Sequence, residues 1–131
     1  MPRTAGFRLS WSDAVVLGAS VPATWWLWST VGPMAGVVPF AVGHFFLFCN
    51  VFRIHRRKEL LWAACCLLNV AAWALAERVD WGLILALQAP LTVLVIVWEM
   101  RGPYYHGIWA RRVNPRLDDY LSGRLTEGAE A

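Results

Sequence analysis

A chain of 131 residues that is 58% hydrophobic and 16% charged leaves no room for a soluble core beside the apolar runs it carries, and it reads as one membrane domain with short termini. Its formal charge of +3 would suit nucleic acid in a soluble protein, but here membrane topology accounts for the basic residues, so nucleic acid is set aside and anionic inner-leaflet lipid is the expected partner. Cys49, Cys65 and Cys66 all fall in apolar runs without CxxC spacing, which argues against a disulfide framework or a thiol-metal site.

Four apolar runs, 14–31, 34–54, 60–76 and 81–98, are each long enough at ~1.5 Å rise per residue to cross or nearly cross a hydrocarbon core ~30 Å thick. With the N-terminus inside, one side of the four runs holds Arg3, Arg8, Arg53, Arg56, Arg57, Lys58, Arg101, Arg111, Arg112, Arg116 and Arg124, and only Arg78 lies outside. Short loops obey the positive-inside rule, so both ends are expected in the cytoplasm. The excess of arginine over lysine points to a bacterial source, hence to a bacterial inner membrane.

Along the chain, residues 1–12 form a cytoplasmic segment that ends in a capping box, with Ser10 and Asp13 at the required spacing. The transmembrane domain then occupies 13–100. In the first run Ala14, Gly18 and Pro22 make a narrow small face, Pro22 is expected to kink the helix, and Trp25, Trp26 and Trp28 fit an outer aromatic belt. The apolar stretch before a loose cleavage-like site at 21–23 is too short for a signal peptide, so a retained first span is expected. Gly32 and Pro33 make a tight outer connection. The second run carries Gly32, Gly36 and Gly43 in a groove expected to pack, together with Gly18, against the first run or against a second copy.

Residues 55–59 read as a short inner loop bearing Arg56, Arg57 and Lys58. In the third run Trp62, Cys66, Asn69 and Trp73 share one face. After an outer turn at 77–80, the fourth run places Gln88, Thr92 and Glu99 on one stripe and contains Pro90. Residues 101–123 mix aromatic and basic side chains, as suits a segment lying in the headgroup layer. Within it Asn114 reads as a helix cap before Pro115, a short amphipathic helix follows, and Gly123 ends that helix. Residues 124–131 are expected to be disordered.

Polar groups inside a membrane are costly, so each needs a reason. His44 reads either as a metal, haem or proton-relay group or as an interhelical hydrogen bond to a carbonyl or to Gln88. Asn50 and Arg53 lie on one face near the inner end of the second run, and Arg53 is expected to form an interfacial ion pair with Glu99. Asn69, Gln88 and Thr92 either line a polar path or join helices by hydrogen bonds.

At the inner face His55, His106 and Glu59 are the candidate catalytic groups, and Arg56, Arg57, Lys58, Arg101, Arg111 and Arg112 are the candidate anionic-lipid contacts. No metal-ligand spacing, phosphate loop or nucleophile motif accompanies them, so no metal or cofactor is expected. The expected fold is thus all-α: a polytopic four-helix membrane bundle with a short interfacial C-terminal segment. The expected function is an accessory, structural or assembly subunit that docks on another membrane protein or on itself. An inner-face enzyme of lipid or redox metabolism and a small oligomeric transporter or channel are the alternatives.

Overall fold

Residues 3–125 are described by a computed structural model, and every regular element among them is helical. The order is α1 (Trp11–Val31), a 3-10 turn (Gly32–Gly36), α2 (Val37–Phe46), a π-helical stretch (Leu47–Phe52), α3 (Arg56–Leu75), α4 (Trp81–Met100), α5 (Ala110–Val113) and α6 (Leu117–Leu121). Three helical stretches are long and apolar enough to cross a membrane: Trp11–Phe52, Arg56–Leu75 and Trp81–Met100.

The first of these is not a rod. Its 42 residues would reach about 63 Å as one straight α-helix. Ser10 starts it with a reciprocal cap: its hydroxyl accepts from Asp13 N (3.3 Å) while Asp13 Oδ2 accepts from Ser10 N (2.8 Å). Gly32 ends α1 at φ 56°, a left-handed backbone that glycine adopts without strain. The chain then doubles back, so that Arg8 N donates to Asn50 O (3.0 Å) and the Phe7 ring meets Phe46 edge-on at 6.1 Å. α1 and the return leg therefore form an antiparallel hairpin.

The expected glycine groove takes a different form. A Cβ at Gly18, Gly32 or Gly43 would meet nothing within 4 Å, whereas at Gly36 it would stand 2.7 Å from the indole of Trp81. Gly36 is thus the one of the four that permits a close approach, and its neighbour is the start of α4 rather than α1. Gly32 serves the turn, and Gly18 and Gly43 face open space. Trp81 is held over Gly36 by its Nε1, which donates to Pro33 O (2.8 Å).

α3 and α4 supply most of the core. Trp62, Cys66 and Val70 of α3 face Ile84, Gln88, Thr92, Val95 and Glu99 of α4, all buried. The spacing on α4 follows the 3.6-residue period of one helix face. Phe48 joins this core from the π-helical stretch, and Phe40 packs against it from α2. α3 begins at Arg56, so most of the expected inner loop is its first turn, and only Arg53, Ile54 and His55 connect it to Phe52. Arg53 itself is left-handed, at φ 51°.

Beyond α4 the chain folds into a small cap with its own core of Tyr105, Ala110 and Leu117, packed against Phe52, Met100 and Leu121. Asn114 holds it together. Its Nδ2 donates to Pro103 O and Tyr105 O (2.8 Å each), and its Oδ1 accepts from Arg116 N (2.9 Å). Asn114 is therefore not the cap residue of α6, because Arg116 occupies that position; its amide clamps the loop instead.

Gly6 of the N-terminal segment donates its N–H to His106 O of the same cap (2.8 Å), and Ile108 N ties the cap to Val51 O of the π-helical stretch (2.9 Å). At the chain's far end, Arg124 Nη2 pairs with Asp119 Oδ1 (2.8 Å) and Leu125 N donates to Asp119 O (3.1 Å). The remainder of the expected disordered tail, 126–131, lies outside the described residues.

Candidate functional site

Two polar regions stand out, one inside the helix bundle and one at its basic end. The first is centred on Trp62. Its Nε1 donates to Thr92 Oγ1 (2.9 Å), and Thr92 Oγ1 donates to Gln88 O (3.0 Å). Gln88 Nε2 donates to Trp62 O (3.3 Å), and Asn69 Nδ2 reaches both Ile84 O (3.0 Å) and Gln88 Oε1 (3.4 Å). Asn69, Gln88 and Thr92 are thus brought together, and their bonds join α3 to α4.

His44 stacks on the Trp62 ring at 4.4 Å between centroids, with Phe40 and Phe48 beside it. Its Nδ1 lies 2.9 Å from Phe40 O, and since a carbonyl can only accept, that nitrogen carries the proton. The bond stays within the helix, so neither Gln88 nor another helix is the partner of His44 Nδ1.

At the basic end, the ion pair forms between different residues from those expected. Glu99 pairs with Lys58, not with Arg53: Lys58 Nζ stands 2.8 Å from Glu99 Oε2, at angles outside those of a hydrogen bond. Arg53 donates instead to Thr4 O (2.6 Å). The physical reason is the π-helical stretch. It shifts the register of the residues after it, and the left-handed turn at Arg53 then sends its side chain toward the N-terminal segment. Lys58, in the first turn of α3, also lies over the Trp98 ring at 4.7 Å. Asn50 is buried in the π-helical stretch. With its amide nitrogen facing the acceptors, it donates to Arg8 O (3.2 Å) and Asp13 Oδ2 (3.1 Å).

The three candidate catalytic groups occupy separate settings. Glu59 is buried and accepts from Cys49 Sγ at 3.2 Å. His55 sits at the N-cap of α3, where its carbonyl accepts from Lys58 N and Glu59 N. His106 belongs to the cap, with Nδ1 on Tyr104 O (2.8 Å) and its ring stacked on Tyr120 at 4.6 Å. Among the described residues no group of three or more His, Cys, Asp or Glu side chains is placed to hold a metal ion.

Tyr105 is fully buried in the cap and donates to Ile108 O (2.7 Å). Burial, and secondarily the charge of Glu99, pushes its hydroxyl up to about 12. Spacing in the sequence carries no sign of Tyr105 or of the clamp at Asn114. The only hint is the Asn-Pro pair at 114–115, which reads equally well as a helix start.

The cap exposes Arg101, Arg111, Arg112 and Trp109. Arg111 and Arg112 edge a cleft of about 240 Å³ beside Gly6 and Trp109. A second cleft, of about 320 Å³, runs between Arg101 and Arg116, and a third, of about 390 Å³, lies between Arg111 and Asp118. A much larger open groove, about 560 Å³, lies at the other end of the hairpin, bounded by Val21, Trp25 and Trp28 of α1 and by Pro39 of α2. No family model, curated protein or solved structure gives a significant match to this chain.

Proposed function

We propose that this chain crosses a bacterial inner membrane four times, with both ends cytoplasmic, and serves as a non-catalytic accessory, structural or assembly subunit of a larger membrane complex. The hairpin supports the crossing number. α1 has 21 residues and the return leg Gly32–Phe52 another 21, each about 30 Å long, which matches the hydrocarbon thickness. The basic end, by the positive-inside rule, faces the cytoplasm.

The observation that carries the subunit reading is the state of α1. No residue of this 21-residue helix is buried within the chain's own fold. Val21, Trp25 and Trp26 are 70%, 84% and 68% exposed along it. Lipid covers such a face in the isolated protein. Large aromatic side chains on an open helix also supply the anchors around which protein interfaces form.

Affinity purification from native membranes in mild detergent, with mass spectrometry of the eluate, tests the role. A stoichiometric membrane partner that is lost on Trp25→Ala and Trp26→Ala substitution is the expected result. A solitary monomer whose deletion leaves every membrane complex intact overturns it. Topology is tested by single cysteines in a background lacking Cys49, Cys65 and Cys66. Labelling of Thr30→Cys from outside, and of Ser12→Cys, His55→Cys and Ser122→Cys from inside, is expected for four crossings.

A further inference from the structure

We propose that the cleft between Arg101 and Arg116 binds the phosphate headgroup of an anionic phospholipid in the cytoplasmic leaflet. This rests on the membrane orientation proposed above and is independent of the subunit role. Arg101 is the residue at which α4 ends after 20 apolar-rich positions, so a spanning α4 sets the cleft at headgroup depth.

The charged side chains that line the cleft are both cationic. Arg101 and Arg116 stand on its two sides with Gly102, Pro103 and Asn114 between them, and neither guanidinium has a hydrogen-bond or ion-pair partner among the described residues. No carboxylate lines it, and Glu99 and Asp119, on the elements that flank it in sequence, are engaged by Lys58 and Arg124. Asp118 borders the neighbouring cleft, opposite Arg111, and does not line this one.

The backbone that carries the two arginines is also held in place before any ligand arrives. Asn114 ties Pro103 O and Tyr105 O to the backbone of Arg116, so the two walls of the cleft cannot separate without breaking that clamp. Two unpaired guanidinium groups rooted on either side of a clamped loop suit a phosphodiester, which accepts hydrogen bonds from both sides.

The surface below the cleft favours a lipid over a soluble phosphate. Leu94, Val97 and Trp98 precede Arg101 at seven, four and three residues, hence on the same face of α4, and all three are exposed. An apolar, lipid-facing stripe leading directly to a cationic cleft matches an acyl chain joined to an anionic headgroup.

The test uses the full chain purified in mild detergent, with native mass spectrometry after addition of dioleoyl phosphatidylglycerol or dioleoyl phosphatidylcholine. The expected result is preferential retention of phosphatidylglycerol. Apparent affinity should fall about fivefold in Arg101→Gln or Arg116→Gln and about 30-fold in the double variant, with Arg78→Gln at the opposite end unchanged. Helicity and melting of the double variant should match the wild type, since neither side chain has an internal partner.

Equal retention of the two lipids, or undiminished phosphatidylglycerol retention in the double variant, overturns the site. So does stripping of the lipid by excess inorganic phosphate, which would mark a soluble-anion site. Failure of the underlying orientation shows separately, as labelling of Ser122→Cys from outside.

Discussion

Removing Lys58 should destabilise the protein far more than removing Arg53. Lys58 Nζ and Glu99 Oε2 are 2.8 Å apart, and their side chains are 21% and 7% exposed. At an effective dielectric of ~20 the gross attraction at that distance is about 6 kcal/mol. Desolvation offsets much of it, at several kcal/mol per ion, so the pair as a whole adds little net stability. Deleting only the lysine changes the balance, because the attraction disappears while the carboxylate stays buried. The cost of stranding Glu99 is then about 3 kcal/mol.

Arg53→Ala, by contrast, removes a bond to the exposed Thr4 carbonyl and should cost about 1 kcal/mol. Reversible unfolding in bicelles of wild type, Lys58→Met, Glu99→Gln, the double variant and Arg53→Ala measures all of these terms. The double variant should recover most of the loss seen in Lys58→Met. Additive single costs, or an Arg53→Ala cost equal to that of Lys58→Met, would refute the pairing.

Three further outcomes are expected. Gly36→Ala should cost about 1–3 kcal/mol, because its new methyl meets a Trp81 ring tethered to Pro33, whereas Gly18→Ala and Gly43→Ala enter open space and should melt within a few degrees of wild type. Trp62→Phe should cost about 1 kcal/mol in the same unfolding assay, since it deletes the Thr92 bond while leaving the aromatic stack nearly filled. Tyr105 has a folded-state value of about 12 against an ordinary 10.0, so its neutral form is favoured by folding. That contribution is intact below pH 10 and is lost as pH rises through about 12. The stability difference between wild type and Tyr105→Phe, followed by protease sensitivity of the cap, should therefore shrink across that interval.

The helical fold and the α3–α4 seam are legible in the residue order because period 3.6 acts directly on side-chain direction. Gln88, Thr92 and Glu99 fall on one stripe of α4, and that stripe is buried. Periodicity says nothing of which neighbour a face meets, and there the structure departs from expectation. Gly36 closes on Trp81 rather than on α1, and Gly18 and Gly43 close on nothing. Depth-matching pairs Arg53 with Glu99 only if the second run is an unbroken α-helix. The π-helical stretch just before Arg53 breaks that assumption without any proline or glycine to announce it. Composition alone makes the cap a segment lying in the interface. Its helices have four and five residues, too few for a periodic pattern, and its core forms from Tyr105, Ala110 and Leu117 through contacts that a loop, not a helix, arranges.

The seating of Arg3 and Gly6 on the cap has a consequence for the order in which the fold closes. Arg3 donates to Tyr120 O (2.9 Å) and Leu125 O (2.7 Å) and lies over the Tyr120 ring at 4.8 Å, contacts spanning nearly the whole chain. Arg3 and Gly6 therefore find their partners only in residues that follow α4, whereas Thr4, Phe7 and Arg8 already have theirs at Arg53, Phe46 and Asn50. The helices can associate one after another, but this closure forms only when the N-terminal segment and the cap meet. Removing the residues after α4 would leave Arg3 and Gly6 without these contacts while the rest of the N-terminal segment stayed anchored on the hairpin.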